Sequence, residues 1–191
     1  MLNTSASLVY SPLDVRGLSL GRQAVALVAG VCVLTASSYV QVPMVPVPLT
    51  MQTLAVTVIG ALYGRRLGAL TIIAWLAAAA AGAPVMAGDH IADFVGPTAG
   101  YLAAFPIVGA LCGFLAERSW NGRNLWLAGA SMLIGNLLCL ALGGAWLSVL
   151  IGADKAIAAG VTPFLLGAAL KSALGAVVMK GLWIARKRGE A

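Results

Sequence analysis

The chain alternates between long apolar segments and short polar turns. About 20 apolar residues in helical conformation span the hydrocarbon core of a bilayer. The pattern therefore predicts an all-α integral membrane protein, with six transmembrane helices in one domain covering residues 1–191. The predicted spans are about 20–40, 51–64, 67–82, 99–116, 124–150 and 162–185.

Three of these spans depart from a simple helix of membrane length. The second and third are short, and a basic turn at Gly64-Arg65-Arg66 joins them. The fifth is longer than a span requires, and Gly143-Gly144 are predicted to interrupt it. Glycine and alanine occur in every span, which favours close packing of helices in lipid.

The segment from Val42 to Thr53, VPMVPVPLTMQT, separates the first two spans and carries three prolines. Proline lacks a backbone donor and disfavours helical backbone in the residue before it, so this segment is predicted to be non-helical. Irregular backbone at membrane depth occurs only where it is buried in protein or lines a cavity. Because Thr50 and Gln52 add polar groups at its end, we interpret the segment as the lid of a binding site.

Composition supports the membrane class and argues against an enzyme. Hydrophobic residues make up 61% of the 191 residues and charged residues 9%, whereas a soluble domain carries roughly 25% charged residues. The amino-terminal segment holds Asp14 and Arg16 and lacks the apolar core of a cleavable signal peptide. The cysteines lie in apolar segments without disulfide or metal-ligand spacing. We expect no catalytic site, no metal and no cofactor.

Basic residues are concentrated on one predicted side of the membrane. Ten of the twelve lie before span one, after spans two and four, or at the end of span six: Arg16, Arg22, Arg65, Arg66, Arg118, Arg123, Lys180, Arg186, Lys187 and Arg188. The positive-inside rule then places both termini in the cytoplasm. We expect a multi-pass protein of the cytoplasmic (inner) membrane, in contact with lipid. The net charge of +6 reflects this asymmetry and not a nucleic-acid partner.

The loop 83–101 carries most of the polar groups on the opposite side. They are Asp89, His90, Asp93, Thr98 and Tyr101, with Gly88, Gly96 and Gly100 as points of backbone freedom. The hydroxyls of Thr98 and Tyr101, together with the backbone N–H groups beside the glycines, can bind a polar ligand head group. The alternative is a glycine-rich reversal with its carboxylates in water. A lone histidine without a second ligand does not indicate a metal site.

Lys171 is the strongest single candidate for ligand contact. It lies eight positions after Pro163, so about 12 Å into a helix that begins at the outer face. An ionisable group at that depth marks a functional site by default. Its ammonium suits a carboxylate or a ureido carbonyl oxygen. The alternative is a structural lysine paired with Asp89, Asp93 or a backbone carbonyl.

Three motifs in order resemble the BioY family, the biotin-binding S components of energy-coupling-factor (ECF) vitamin transporters. They are VPVPLTMQT before span two, GAPVMAG after span three and GPTAGYLAAF into span four. The resemblance extends from about residue 20 to residue 185. It implies the six-helix S-component bundle and high-affinity capture of biotin for uptake. It also implies an ECF coupling (T) subunit and ATPase subunits as partners.

The resemblance also implies roles for particular residues. S components dock on the coupling subunit through small residues four apart on helix one, a pattern that Ala26 and Gly30 fit. Trp146, in the GGAWL sequence of helix five, is expected to stack on an apolar ring of the ligand. In helix six, Phe164 and Lys171 match the family pattern, but Ala168 stands where the family has an aspartate.

The loss of that aspartate leaves the ligand open. A ureido ring has two N–H donors, and leaving a buried donor unpaired costs roughly 1–3 kcal/mol. Asn136, Asp89 or Asp93 can substitute as acceptor. Otherwise the ligand is a related carboxylate vitamin such as desthiobiotin or lipoate. Two further alternatives are a stand-alone carrier, as a possible homo-oligomer, and a non-transporting membrane scaffold.

Overall fold

The computed structural model describes residue 13, residues 19–88 and residues 94–189. Asp89, His90 and Asp93 lie outside the described residues. Two antiparallel two-residue strands lie between the first two helices of the described residues. In chain order the elements are α1 (Leu20–Tyr39), β1 (Gln41–Val42), β2 (Leu49–Thr50), α2 (Gln52–Ala80), α3 (Ala99–Glu117), α4 (Leu125–Ile151), α5 (Ala153–Ala156), a π-helical turn (Ile157–Val161) and α6 (Thr162–Gly189).

Five helices among the described residues are long and apolar enough to cross a membrane. They are α1, α2, α3, α4 and the continuous run Ala153–Gly189 that ends in α6. The prediction of an all-α membrane protein is confirmed. The helices begin and end close to the predicted spans. Predicted spans two and three correspond to the two parts of α2, which non-helical backbone at Gly64, in the predicted basic turn, separates.

The helix α2 is folded back on itself at Gly64. This residue has φ 78° and ψ 173°, a backbone conformation that glycine adopts without the steric cost of a Cβ. A Cβ placed on Gly68 would lie 2.9 Å from the Cα of Gly60, although eight residues of straight helix would separate them by about 12 Å. The helix therefore consists of two antiparallel arms, residues 52–63 and 65–80.

Glycines allow both arms of α2 to pack closely on α3. The backbone of Gly60 lies directly against that of Gly109, and a Cβ on Gly113 would collide with the backbone of Gly64 and Arg65. The core between these helices includes the fully buried side chains of Ile72 and Trp75. Close approach at small residues is the packing mode expected of helices in lipid.

The helix α4 runs without interruption through Gly143 and Gly144, so the predicted break is wrong. Its start is capped by Asn124, whose side chain accepts hydrogen bonds from the backbone N–H groups of Trp126 and Leu127. Gly143 lies against the ring of Tyr101 on α3, which leaves no space for a Cβ. Glycine at this position permits contact between helices and does not end the helix.

Contacts at one end of the bundle bring the basic turns together. The backbone N–H of Arg65 donates to Glu117 at the end of α3 over 3.1 Å. The ammonium of Lys180 donates to the carbonyl of Arg123 over 3.1 Å, and the Arg123 guanidinium lies over the Trp183 ring. The β1–β2 hairpin and Lys171 meet at the opposite end of the bundle, beside the start of α2.

The structure places Gly30, a predicted docking residue, in a contact inside the bundle. Gly30 is buried, and a Cβ there would lie 2.6 Å from Cγ2 of Thr71 in the second arm of α2. Ala26, one turn earlier, is partly buried against the same core. Gly30 therefore packs α1 onto α2. Small residues suit close contact inside the bundle as well as contact with a partner. The exposed face of α1 includes Val25, Val28 and Val33.

Candidate functional site

A cavity of about 270 Å³ lies beneath the β1–β2 hairpin. Its walls come from the hairpin, the first turn of α2, residues 86–88, α3, α4 and α6. Met86 after the second arm of α2 and Thr53 at the start of the first arm both line it. The reversal of α2 at Gly64 therefore brings residues that are distant in sequence to one site.

The proline-rich segment forms the outer wall of this cavity. Gln41 pairs with Thr50 and Val42 with Leu49 in the hairpin, and the intervening turn contributes Pro43, Met44, Val47 and Pro48 to the lining. Val47 is 5% exposed, so the turn is packed onto the bundle. The prediction of non-helical backbone is confirmed from Val42 to Met51, whereas Gln52 and Thr53 already belong to α2 because the last proline is Pro48. The segment lies where a lid would lie.

Lys171 is the single charged residue among the described residues that line the cavity. Its Nζ donates to the carbonyl oxygen of Thr50 over 2.8 Å and to Oγ1 of Thr53 over 3.0 Å. These two oxygens compensate part of the cost of placing an ammonium inside the membrane region. Pairing with a backbone carbonyl, one of the alternatives predicted for Lys171, is present in the structure.

The polar ends of Thr50 and Gln52 are joined to each other. The Thr50 hydroxyl donates to Oε1 of Gln52 over 3.1 Å, and the backbone N–H of Gln52 donates to the Thr50 hydroxyl over 3.3 Å. Gln52 is 8% exposed, and both residues line the cavity. This arrangement holds the end of the hairpin against the start of α2.

A chain of hydrogen bonds holds Asn136 in place on α4. Its Nδ2 donates to the carbonyl of Met132 over 3.0 Å and to the Ser172 hydroxyl over 3.1 Å. The Ser172 hydroxyl in turn donates to the carbonyl of Ala168 over 2.7 Å. Because the amide hydrogens are used within the protein, the Asn136 Oδ1 remains as an acceptor in a side chain that lines the cavity.

Aromatic and apolar groups form the rest of the lining. Tyr101 contributes to the wall while its hydroxyl donates to the carbonyl of Gly160 over 2.8 Å. Phe164, 8% exposed, lines the cavity from α6, and Phe105 lies one turn along α3 from Tyr101. Thr98, immediately before α3, also lines the cavity. A mostly apolar wall with a few placed polar groups is typical of small-molecule sites.

Two predicted site residues lie outside the cavity lining. Trp146 is 39% exposed, and its Nε1 donates to the carbonyl of Gly96 over 3.0 Å. Its side chain packs directly against Gly100. The structure thus places Trp146 and Gly96 in a contact between α4 and the segment before α3. The predicted acceptors Asp89 and Asp93 lie outside the described residues.

Several lining residues were not singled out by the sequence analysis. They include the methionines Met44 and Met86, and Thr53, Leu102, Phe105, Cys139 and Leu140. The first five lie in or beside the motifs that indicated the family, but these side chains carried no separate signal. The sequence does contain a signal that Cys139 lines the cavity, because it lies three residues after Asn136 on the same face of α4.

Comparison with known proteins identifies the same family along nearly the whole chain. A family model described as the BioY family matches residues 11–188. The chain is 35% identical over 161 residues to a probable biotin transporter BioY of Pyrococcus horikoshii, covering 83% of this chain and 94% of that one. It is 30% identical over 150 residues to the biotin transporter BioY of Rhizobium etli, covering 73% and 80%.

A solved structure supports the same fold. The crystal structure of the S-component for biotin from an ECF-type ABC transporter superposes with a TM-score of 0.73, at 23% identity. The match covers 87% of this chain and 94% of that chain. With the family model matched from residue 11 to residue 188, the chain belongs to the BioY family.

Proposed function

We propose that this chain binds biotin with high affinity and serves as the substrate-capture subunit for biotin uptake by an ECF-type transporter. One observation carries the proposal. The three motifs that indicate the family meet at a single cavity, through Thr50 from the first, Met86 from the second and Tyr101 from the third. The relatives in Pyrococcus horikoshii and Rhizobium etli are named as biotin transporters.

The donors and acceptors of the cavity suit the groups of biotin. The Lys171 ammonium is a donor for the ureido carbonyl oxygen or for the carboxylate of the ligand. The Asn136 Oδ1 is an acceptor for a ureido N–H, in place of the aspartate that Ala168 replaces. Phe105 and Phe164 supply apolar surface for the ring system and the aliphatic chain.

Ala168 also favours a second candidate ligand. A cavity without a carboxylate at this position makes fewer strong hydrogen bonds to a ureido ring, so a carboxylate vitamin such as lipoate can compete. Desthiobiotin keeps the ureido group but lacks the ring sulfur. Comparing its affinity with that of biotin therefore measures the contribution of the sulfur. These two compounds are the alternatives to biotin in the binding experiment.

Six transmembrane spans with both termini in the cytoplasm are the proposed membrane arrangement. The two arms of α2 contribute one span each, with the Gly64 turn at the basic end of the bundle. Contacts such as that between Arg65 and Glu117 support one common basic end, and the positive-inside rule assigns that end to the cytoplasm. The cavity under the hairpin then opens to the outer face of the cytoplasmic membrane.

Transport is proposed to require partner subunits. A coupling (T) subunit and ATPases would supply the energy, and the bundle would reorient to release its ligand inside the cell. The support for these partners is the fold shared with the S-component of an ECF-type ABC transporter. A stand-alone homo-oligomeric carrier is the alternative, and uptake by the chain expressed without ATPase subunits would favour it.

The deciding experiment is isothermal titration calorimetry of the purified chain with biotin. We expect a dissociation constant at or below the micromolar range. Desthiobiotin and lipoate are titrated in parallel under the same conditions. Binding of lipoate with no heat from biotin would assign the second ligand, and no heat from any of the three compounds would contradict the proposal.

A further inference from the structure

A second cavity, of about 510 Å³, lies at the basic end of the bundle. The start of α1, the reversal of α2 and the end of α3 form it. The described residues that line it are all different from those of the cavity under the hairpin. Two arginines, Arg65 and Arg66, lie in its wall together with Glu117 and the leucines Leu67 and Leu70.

The charges in this cavity leave an excess of one positive group. The Arg65 Nε lies 3.6 Å from Oε2 of Glu117, so these two side chains form an ion pair. Arg66 is exposed and has no ion pair among the described residues. The pair formed by Arg65 and Glu117 is neutral as a unit. Arg66 therefore supplies the charge that a ligand of this cavity would meet.

An apolar face continues from Arg66 along the second arm of α2. Leu70, four residues on, lines the cavity and is 55% exposed, and Ile73, three residues further, is 48% exposed. Residues at these spacings share one face of a helix. A cation at the end of the arm is thus followed by exposed apolar side chains, which matches a ligand with an anionic head and a hydrocarbon tail.

We propose that this cavity binds the phosphate head group of an anionic phospholipid, with an acyl chain along Leu70 and Ile73. The location favours a lipid over a soluble phosphate, because the end of a membrane-spanning arm lies at the level of the head groups. Basic pockets between transmembrane helices are suited to anionic head groups at this level. The Arg66 guanidinium can form two parallel hydrogen bonds with a phosphate.

The test is native mass spectrometry of the purified full chain with added lipids. Phosphatidylglycerol and phosphatidylcholine of the same chain length are compared at equal concentration. We expect at least fivefold more bound phosphatidylglycerol. Arg66→Gln should reduce that binding at least fivefold, whereas Lys187→Gln, which removes an exposed charge at the carboxyl end of α6, should change it less than twofold.

Glycerol 1-phosphate, added as a soluble competitor, distinguishes the two sources of phosphate. It should not displace the lipid, because it lacks the acyl chain. Displacement at equal concentration would assign the cavity to a free phosphate and overturn the lipid proposal. Equal losses in Arg66→Gln and Lys187→Gln, or equal binding of the two lipids, would overturn it as well.

Two further measurements distinguish a lipid site from a folding defect and from a protein-docking surface. The melting temperature of Arg66→Gln in detergent should equal that of the unmodified chain, which shows that the variant is folded and keeps the result independent of the proposed biotin binding. If the proposal is right, the Arg66→Gln variant does not combine normal lipid binding with a failure to copurify with coupling subunits. That combination would assign the cavity to protein docking and overturn the lipid site.

Discussion

Lys171 joins the hairpin to the helical bundle at the level of a single side chain. Its two acceptors are the carbonyl of Thr50 at the end of β2 and the hydroxyl of Thr53 on α2. A ligand oxygen that bonds to the same ammonium either shares it with these acceptors or replaces one of them. If the proposed ligand contact is made, ligand binding and the position of the hairpin are coupled through this lysine.

Replacing Lys171 tests its contact with the ligand. Lys171→Ala should weaken biotin binding at least tenfold, because it removes a charged hydrogen-bond donor worth roughly 1.5–3 kcal/mol. Calorimetry gives the affinity, and thermal unfolding in detergent reports whether the fold is retained. The control is Lys155→Ala, which changes an exposed lysine on α5. An unchanged affinity in the folded Lys171→Ala variant would overturn the assignment.

Asn136 gives a second residue-scale prediction. Asn136→Leu keeps the branched shape and the number of heavy atoms of the side chain but removes the Oδ1 acceptor and the donors to Met132 and Ser172. We expect a loss of at least fivefold in biotin affinity, the lower end of the cost of an unpaired buried donor. The matched control is Ser131→Ala, since the Ser131 hydroxyl is buried on the same helix without a hydrogen-bond partner among the described residues.

Equal affinities in Asn136→Leu and the unmodified chain would assign the ureido acceptor to another group. Asp89 and Asp93 are then the remaining candidates, and replacing each by alanine separates them. The same titrations with desthiobiotin check that the lost interaction involves the ureido group, which both compounds share.

At the scale of elements, glycines decide how closely the helices approach. Gly143 on α4 meets the ring of Tyr101, and Gly160 in the π-helical turn lies at the Tyr101 hydroxyl, where a side chain would leave too little space. The same hydroxyl donates to the Gly160 carbonyl. Tyr101 is thereby held between α4 and the π-helical turn, and its ring forms part of the cavity wall.

A pair of glycine substitutions tests this packing. Gly143→Ala should destabilise the protein and weaken biotin binding, since the added methyl group would displace the Tyr101 ring and overpacking costs typically about 1–3 kcal/mol. Gly181→Ala is the control, because a Cβ there meets no atom within 4 Å. Melting temperature in detergent and biotin affinity are the readouts. Similar melting temperatures and biotin affinities for both variants would show that the contact between Gly143 and Tyr101 determines neither stability nor binding.

At the scale of the whole molecule, the two cavities lie at opposite ends of the bundle. The first cavity lies under the hairpin, and the second has the Arg65-Arg66 turn in its wall. The proposed orientation places the hairpin outside and the basic end in the cytoplasm. In that orientation, the cavity proposed to capture a vitamin faces outward, and the cavity proposed to bind lipid lies at the cytoplasmic leaflet.

Labelling of single cysteines in cells tests that orientation. In a variant whose three native cysteines are replaced, Val45→Cys in the exposed hairpin turn should react with a membrane-impermeant maleimide in intact cells. Lys187→Cys near the carboxyl terminus should react only after the membrane is opened. The reverse pattern would contradict the proposed topology, and retained biotin binding verifies that each variant is folded.

The sequence by itself determined the class of the protein, the positions of the helices and the family. Apolar length and low charge suffice for the class and the helices, because the bilayer requires each span to satisfy its own backbone hydrogen bonds. The prolines likewise excluded helix between Val42 and Pro48, since the missing donor is a local property. Lys171 stood out because an ion at membrane depth is costly wherever it occurs.

Only the tertiary structure decided which side chains meet. Spacing along the chain places Gly30 and Ala26 on one face of α1, but whether that face meets a partner or α2 depends on the reversal at Gly64. Trp146 has the size to stack on a ligand, yet the approach of Gly100 directs it to Gly96. Such contacts join residues far apart in sequence, and only the packing of the helices brings them together.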